Sequence, residues 1–296
     1  MIFLVLPPRG RYRLPTSTFP HSPIPRKPVR AIRMLLPTLL LAATPLAAQS
    51  TARRPAPPAH RTAPPLAWGY AGAGGSARWG GLRPAFAGCD TGRWQSPIAL
   101  PPNEPDTTVA LASEYVPATG PIYNDGHTVK MNVSPGSWIE LGGVRYQLRE
   151  FHFHHPAEHL VGTQRFPAEI HLVHYDRAGR ALALGIFVQQ GAHDPAWDAL
   201  LAALPHVRGD TVRLARPVDL NLLLALTGLV GQGLHTYLGS LTTPPCTAGV
   251  RWIVRERHVV LSAEQIDRIR RAMPRNARPP QPLNGRHVYV VKQPAR

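Results

Sequence analysis

The sequence predicts a mainly β protein: a single domain around a large twisted, mostly antiparallel central sheet, with short helices at its periphery. Three observations point there. Short aliphatic or aromatic runs recur between residues 128 and 292, each bounded by Gly, Pro, Asn or Asp. Only two segments carry clear helix signals, too few to cover such a sheet as crossovers. No internal repeat and no second composition shift divides the chain after residue 66.

In chain order, residues 1–48 read as a signal peptide or leader. A basic stretch from Arg26 to Arg33 precedes a short apolar run, Met34–Ala43, and then the small residues Ala47-Ala48. That run is too short to span a bilayer, which takes roughly 20 residues, so no stable membrane insertion is expected. Residues 49–65 are rich in Ala, Pro, Arg and Thr and read as a linker. The folded domain is placed at 66–292, where aromatics begin with Trp68, Tyr70 and Trp79. Strands are expected at Thr128–Val133, Trp138–Leu141, Arg145–His155, Glu169–Tyr175, Leu182–Gln189, Val250–Glu256 and His287–Lys292. One helix should start at Pro195 behind an Asp194 cap and run to about Leu204. Another should start at Ser262, with Gln265 three residues on as a capping box, and run to about Met273.

The formal charge of +16 and the pI near 11.0 suggest a polyanion-binding protein. Seven of the basic residues lie in the first 48, where there is no acidic residue, and the remaining arginines are scattered. Nucleic acid is therefore not the expected partner. Cys89 and Cys246 are the only cysteines. In an exported chain such a pair reads as a disulfide, with two buried thiols as the alternative. The expected location is the periplasm or the exterior, and the sequence is compatible with a homodimer.

Histidines carry the chemistry. In Glu150-Phe151-His152-Phe153-His154-His155-Pro156-Ala157-Glu158-His159, residues two apart on a strand share a face, so His152 and His154 point one way and the phenylalanines the other. A third imidazole from Ala168-Glu169-Ile170-His171-Leu172-Val173-His174 would complete a set of three neutral nitrogens. Three such donors leave an open fourth position on a metal, the pattern of a catalytic rather than a structural centre. His155, His159 and His174 lie close by, so spacing alone does not choose the three.

These segments resemble the zinc-binding signature of alpha-class carbonic anhydrases, and the similarity extends through most of residues 66–292. Four further blocks carry it in order: Gln95-Ser96-Pro97-Ile98; Asn124-Asp125-Gly126-His127; Ser240-Leu241-Thr242-Thr243-Pro244-Pro245-Cys246; and Asn276-Ala277-Arg278-Pro279-Pro280-Gln281-Pro282-Leu283. The short gap from His154 to His171 and the cysteine pair resemble bacterial members. The resemblance implies a central sheet of about ten strands, a lyase that reversibly hydrates carbon dioxide to bicarbonate and a proton, and Zn²⁺ on His152, His154 and His171. It implies Thr242 and Glu158 as the pair that orients the attacking oxygen, His127 as proton shuttle, and Tyr70 as the group ordering water between. Glu150 and Glu169 are implied as acceptors behind His152 and His171. Val173, Ala183, Leu241, Val250, Trp252 and Thr243 are implied as the substrate pocket.

Some positions depart from the family pattern. Glu150 stands where Gln is common and Ala183 where a larger Val is common. Asp125 should raise the pKa of His127 and Lys130 should lower it, with no net direction from sequence. Two rival functions stay in view, a promiscuous zinc esterase and a non-catalytic binding module on the same fold. A serine hydrolase is disfavoured because Leu238-Gly239-Ser240-Leu241-Thr242 is not a Gly-x-Ser-x-Gly elbow.

Overall fold

A computed structural model describes residues 68–292, apart from 103, 227, 228 and 230–232. The expected leader at 1–48 and linker at 49–65 lie outside the described residues, as do the first two positions assigned to the domain.

The described chain opens on short helical turns, among them α1 (Trp79–Leu82) and α2 (Gly88–Thr91). Strands follow: β1 (Ala99–Leu100), β2 (Asp106–Thr108), β3 (Leu111–Glu114), β4 (Pro121–Asn124), β5 (Val129–Asn132), β6 (Trp138–Leu141), β7 (Val144–His154), β8 (Leu160–Val161), β9 (Ala168–Tyr175) and β10 (Ala181–Gln190). After α3 (Asp198–Ala202), β11 (Thr211–Arg213) and α4 (Leu220–Leu224) come the long partners β12 (Leu234–Ser240) and β13 (Ala248–Leu261). Helix α5 (Ala263–Ala272) and β14 (Tyr289–Lys292) end the described chain.

Twelve strands form one sheet, ten of them in the order β11-β4-β5-β7-β9-β10-β13-β12-β14-β2, with β6 and β3 attached beside β7. Most pairs are antiparallel, as expected, but β10 runs parallel to β13 and β14 parallel to β2. The seven expected strands all form, Trp138–Leu141 with the expected bounds and the other six with shifted ends. The longest extension is β13, whose polar Arg255–His258 stretch hid its continuation to Leu261. Strand β12 was not among the expected strands. The missing side chain of Gly239 lets β12 close against Ser96, whose Oγ a Cβ there would strike.

Both expected helices form. The Asp194 side chain does cap by accepting from the Ala196 N–H at 3.0 Å, but the first turn is 3₁₀ and the helix stops at Ala202, short of Leu204. The Ser262–Gln265 capping box is present in α5. Gln265 also reaches back to the Asp194 carbonyl at 2.6 Å, so the two helices are tied at their starts.

One face of the sheet packs on the principal core, where Phe151, Phe153, Ile170, Leu172, Leu184 and Ile186 meet residues of α3 and α5. Strands β9 and β10 are buried on both faces. Along β7 the phase of the alternation changes. Tyr146 and Leu148 face this core, and so do Phe151 and Phe153. The switch from even to odd comes from a register shift against β9 between Leu148 and Glu150, which leaves Arg149 as an extra residue. The shift turns Glu150, His152 and His154 to the other face.

Cys89 in α2 and Cys246 in the loop between β12 and β13 form a disulfide across 157 residues of sequence. Closing a loop of that length limits the unfolded chain. Replacing both cysteines by serine should lower stability by about 4–5 kcal/mol on the chain-entropy estimate. Denaturant unfolding of the parent and the double variant measures this; equal midpoints would contradict it.

Candidate metal centre

His152 on β7 lies directly across from His171 on β9, and His154 lies across from Glu169. The pairing and the shared face bring three imidazoles together, with ring centroids 4.5–5.3 Å apart. One nitrogen of each ring is already engaged. His152 Nδ1 lies 3.0 Å from Glu150 Oε2, His154 Nδ1 lies 2.7 Å from the Asn276 carbonyl, and His171 Nε2 lies 2.9 Å from Glu169 Oε1. Carbonyls and ionised carboxylates only accept, so each engaged nitrogen carries the proton and the other carries a lone pair. The lone pairs therefore fall on His152 Nε2, His154 Nε2 and His171 Nδ1.

This donor set fits a metal ion. The three ligand atoms lie within 4.8 Å of one another. His152 Nε2 and His154 Nε2 face each other at 3.0 Å, an unfavourable approach for two lone pairs unless a cation sits between them. Glu158 Oε2, buried and with no hydrogen-bond partner among the described residues, lies 3.5 Å from His154 Nε2 and 3.9 Å from His171 Nδ1. Burial pushes the His154 pKa well below its usual value and that of His171 down to about 4. Both are neutral and able to ligate near neutral pH.

Glu169 anchors the rear of the site. Its Oε1 accepts from His171 and from His159 Nδ1 at 2.7 Å, while its Oε2 accepts from the backbone N–H groups of Glu158 and His159 at 2.9 and 2.8 Å. Burial alone would raise its pKa, but His159 and His171 outweigh this and hold it well below the usual carboxylate range. Gly185 makes room, since a Cβ there would sit 2.7 Å from Glu169 Oε1. A second grouping, His159, Glu169 and His171, is fully buried. It is a hydrogen-bonded relay: the remaining nitrogen of His159 meets the Tyr237 hydroxyl at 2.7 Å, which in turn meets Ser96 Oγ at 3.0 Å.

The competing histidines are accounted for. His155 Nε2 meets the Met273 carbonyl at 3.1 Å, and His174 meets Tyr115 and the Leu172 carbonyl, both at 3.0 Å. Glu158 Oε1 accepts from the Arg278 N–H at 2.8 Å, and the Thr242 hydroxyl hydrogen-bonds to the same carboxyl. Burial pushes the Glu158 pKa well up despite both contacts. Sequence reasoning assigned no role to Asn276, Arg278 or His159, although their blocks were visible. The Arg278 guanidinium bonds Gln95, Ser96 and Cys89, joining the first block to the last.

A cleft of ≈ 200 Å³ opens in front of the imidazoles. Val173, Ala183, Leu241, Trp252 and Thr243 line it, with Thr242, Tyr70 and His127. Val250 does not. It is buried in the apolar cluster that also holds the cleft residues Ala183 and Trp252. Trp68 stacks on the His127 ring at 3.5 Å and 5°. Asp125 bonds the His127 and Thr128 backbone N–H groups and pairs with Lys130 at 2.8 Å. The direction open from sequence is now fixed. Burial lowers the His127 pKa and, with the smaller lowering effects of Arg208 and Lys130, outweighs the raising effect of Asp125.

A sequence model of the eukaryotic-type carbonic anhydrase family matches residues 74–292. A carbonic anhydrase of Nostoc sp. (strain PCC 7120 / SAG 25.82 / UTEX 2576) is 37% identical over 226 residues, covering 75% of this chain and 84% of that protein. One of Pectobacterium carotovorum is 37% identical over 224 residues, covering 75% and 89%. Among solved structures, the alpha-carbonic anhydrase of Thermovibrio ammonificans, in complex with the inhibitor sulfanilamide, superposes with a TM-score of 0.71. It is 36% identical and covers 76% of this chain and 98% of that one.

The ionised Glu169 sets a pH signature. Its folded pKa lies below the unfolded value of about 4.3, so its stabilisation is complete above that pH and fades as pH falls through the folded value. Glu169→Gln should destabilise the metal-free protein by about 3 kcal/mol at pH 7, and the gap should narrow below about pH 4. Urea unfolding at several pH values reads both effects; a gap constant with pH rejects an ionised Glu169.

Proposed function

The chain belongs to the eukaryotic-type carbonic anhydrase family and is a carbonate dehydratase, and we propose that zinc held by His152, His154 and His171 carries the reaction. The observation that carries this reading is the convergence of three lone-pair nitrogens with their opposite nitrogens fixed by Glu150, Asn276 and Glu169. Three neutral imidazoles suit zinc and leave a coordination position free. When bound there, zinc supplies Lewis acidity that ionises a water near neutral pH.

The chain's own groups aim and exploit that acidity. With its proton committed to Glu158, the Thr242 hydroxyl presents a lone pair to the cleft and selects a proton-bearing oxygen beside it. Glu158 must be anionic for this. A dication held by the three imidazoles would offset the burial that raises its pKa. Carbon dioxide, apolar and uncharged, rests against Val173, Ala183, Leu241 and Trp252, with Thr243 at the rim. The small Ala183 side chain widens this wall, which suits hydrolysis of small esters as a second activity of the same site.

The reaction leaves a proton to export. His127 accepts it, and Tyr70 helps order the water between. The Trp68 stack holds the imidazole at the cleft, and its lowered pKa keeps it a neutral acceptor at pH 6.5 and above. Glu150, a carboxylate behind His152, makes that ring a stronger donor to the metal than an amide would. The disulfide supports an exported protein, periplasmic or secreted, and no helix among the described residues is long and apolar enough to cross a membrane.

Two measurements test the reading. Metal analysis with carbon dioxide hydration before and after chelation should find one zinc per chain, activity lost on stripping, and recovery on adding zinc back. Full activity without metal sinks the proposal. His127→Ala should lower turnover by roughly 100-fold, the low end for a positioned proton-transfer group, while leaving zinc content unchanged, and imidazole buffer should restore part of it. No loss of turnover, or a loss that imidazole leaves untouched, removes His127 from the proton path.

A further inference from the structure

Beyond the cleft, on the same side of the sheet, lies a second and larger groove of ≈ 580 Å³. One lip is the start of β7 after the Gly142-Gly143 turn, and the other is the 176–180 turn between β9 and β10. Four arginines line it: Arg145 and Arg149 from the first lip, Arg177 and Arg180 from the second. Tyr175 lines both this groove and the catalytic cleft, so the two are neighbours.

The acidic groups nearby do not neutralise the set. Glu140 pairs with Arg145 at 3.2 Å, and Asp176 takes the Arg180 Nε at 2.6 Å. Asp176 is otherwise spent on the backbone N–H groups of Ala178 and Arg180, which shape the turn. Glu150 is engaged with His152. Arg149 and Arg177 have no carboxylate within ion-pair distance among the described residues, and both are exposed. The groove thus keeps two uncompensated guanidinium groups. Arg149 is the extra residue at the β7 register shift, so the same irregularity that aims the histidines sends this guanidinium into the groove.

We propose that this groove binds phosphate groups carried on a larger molecule. Guanidinium forks match phosphate oxygens in a bidentate manner, where an ammonium would offer only a point charge. A space of ≈ 580 Å³ exceeds what a single small anion fills. The site would hold the enzyme on a phosphorylated surface or bind a soluble phosphate ester beside the entrance to the cleft. The inference does not rest on the metal-centred reading, because its readout is binding rather than turnover.

The test uses the full chain, so that the basic leader is common to every sample. Arg149→Gln/Arg177→Gln is compared with the parent and with Arg213→Gln/Arg216→Gln, which removes two exposed charges elsewhere. Soluble glycerol phosphate is titrated calorimetrically at near-physiological salt, and phosphatidylcholine vesicles with and without phosphatidic acid are used for co-sedimentation. The groove variant should bind at least fivefold more weakly than the parent in one arm, with the control within twofold of the parent. Response to glycerol phosphate assigns a soluble ester; response confined to vesicles assigns a lipid headgroup. Equal loss in both variants, or no phosphate-dependent binding in either arm, overturns the proposal.

Discussion

A sheet strand alternates its side chains with a period of two, and β7 must serve two incompatible faces. Its outer half buries Tyr146 and Leu148 in the principal core; its inner half buries Phe151 and Phe153 in the same core. Strict alternation would have sent His152 and His154 into the core with Tyr146 and Leu148. The extra residue at Arg149 resolves the conflict. It costs one irregular step in the ladder with β9, and the cross-strand pair His152–His171 follows from the register restored beyond it. Everything in front of the imidazoles depends on that phase change.

Behind the imidazoles the problem is electrostatic. Two fully buried carboxylates, Glu158 and Glu169, sit on opposite sides of the usual glutamate pKa. The difference follows from what each accepts. Glu169 receives four N–H donors, two of them from imidazoles, and stays ionised in a medium that would otherwise neutralise it. Glu158 receives the Arg278 N–H and the Thr242 hydroxyl but keeps an oxygen beside His154 and His171 that has no partner among the described residues. A buried oxygen left without a donor is unfavourable in isolation. It becomes favourable when a cation is held a few ångströms away, so the cost argues for the same ion as the lone pairs do.

Much of this was legible in the sequence, but unevenly. The His-x-His alternation gave the shared face because period two is a property of the strand itself, and the Ser262–Gln265 box gave its helix because capping is local. What escaped was non-local. The reason for Gly239 at the end of β12 appears only when Ser96, far away in sequence, is seen to occupy the space a side chain would fill. Asn276 offers its backbone carbonyl to His154, a role that its side-chain identity does not announce. Val250 is apolar like the pocket wall, yet only the three-dimensional packing shows it buried beside the wall residues Ala183 and Trp252 without lining the cleft itself. The direction of the His127 shift is set first by burial, which only the fold reveals, and Arg208, some eighty positions downstream, adds to it.

The Thr242 loop shows how these layers meet. It joins β12 to β13, so its two ends are fixed by adjacent sheet strands. Its far side is fastened to α2 through Cys246 and Cys89, and Arg278 bonds the Cys89 carbonyl while its own N–H holds Glu158. A displacement of the loop therefore cannot move Thr242 without disturbing the partner of its hydroxyl. Positioning an oxygen to a fraction of an ångström demands this kind of closed circuit, in which donor, acceptor and covalent tie share one anchor. The disulfide is thus better read as part of the alignment of Thr242 than as a brace on a remote surface.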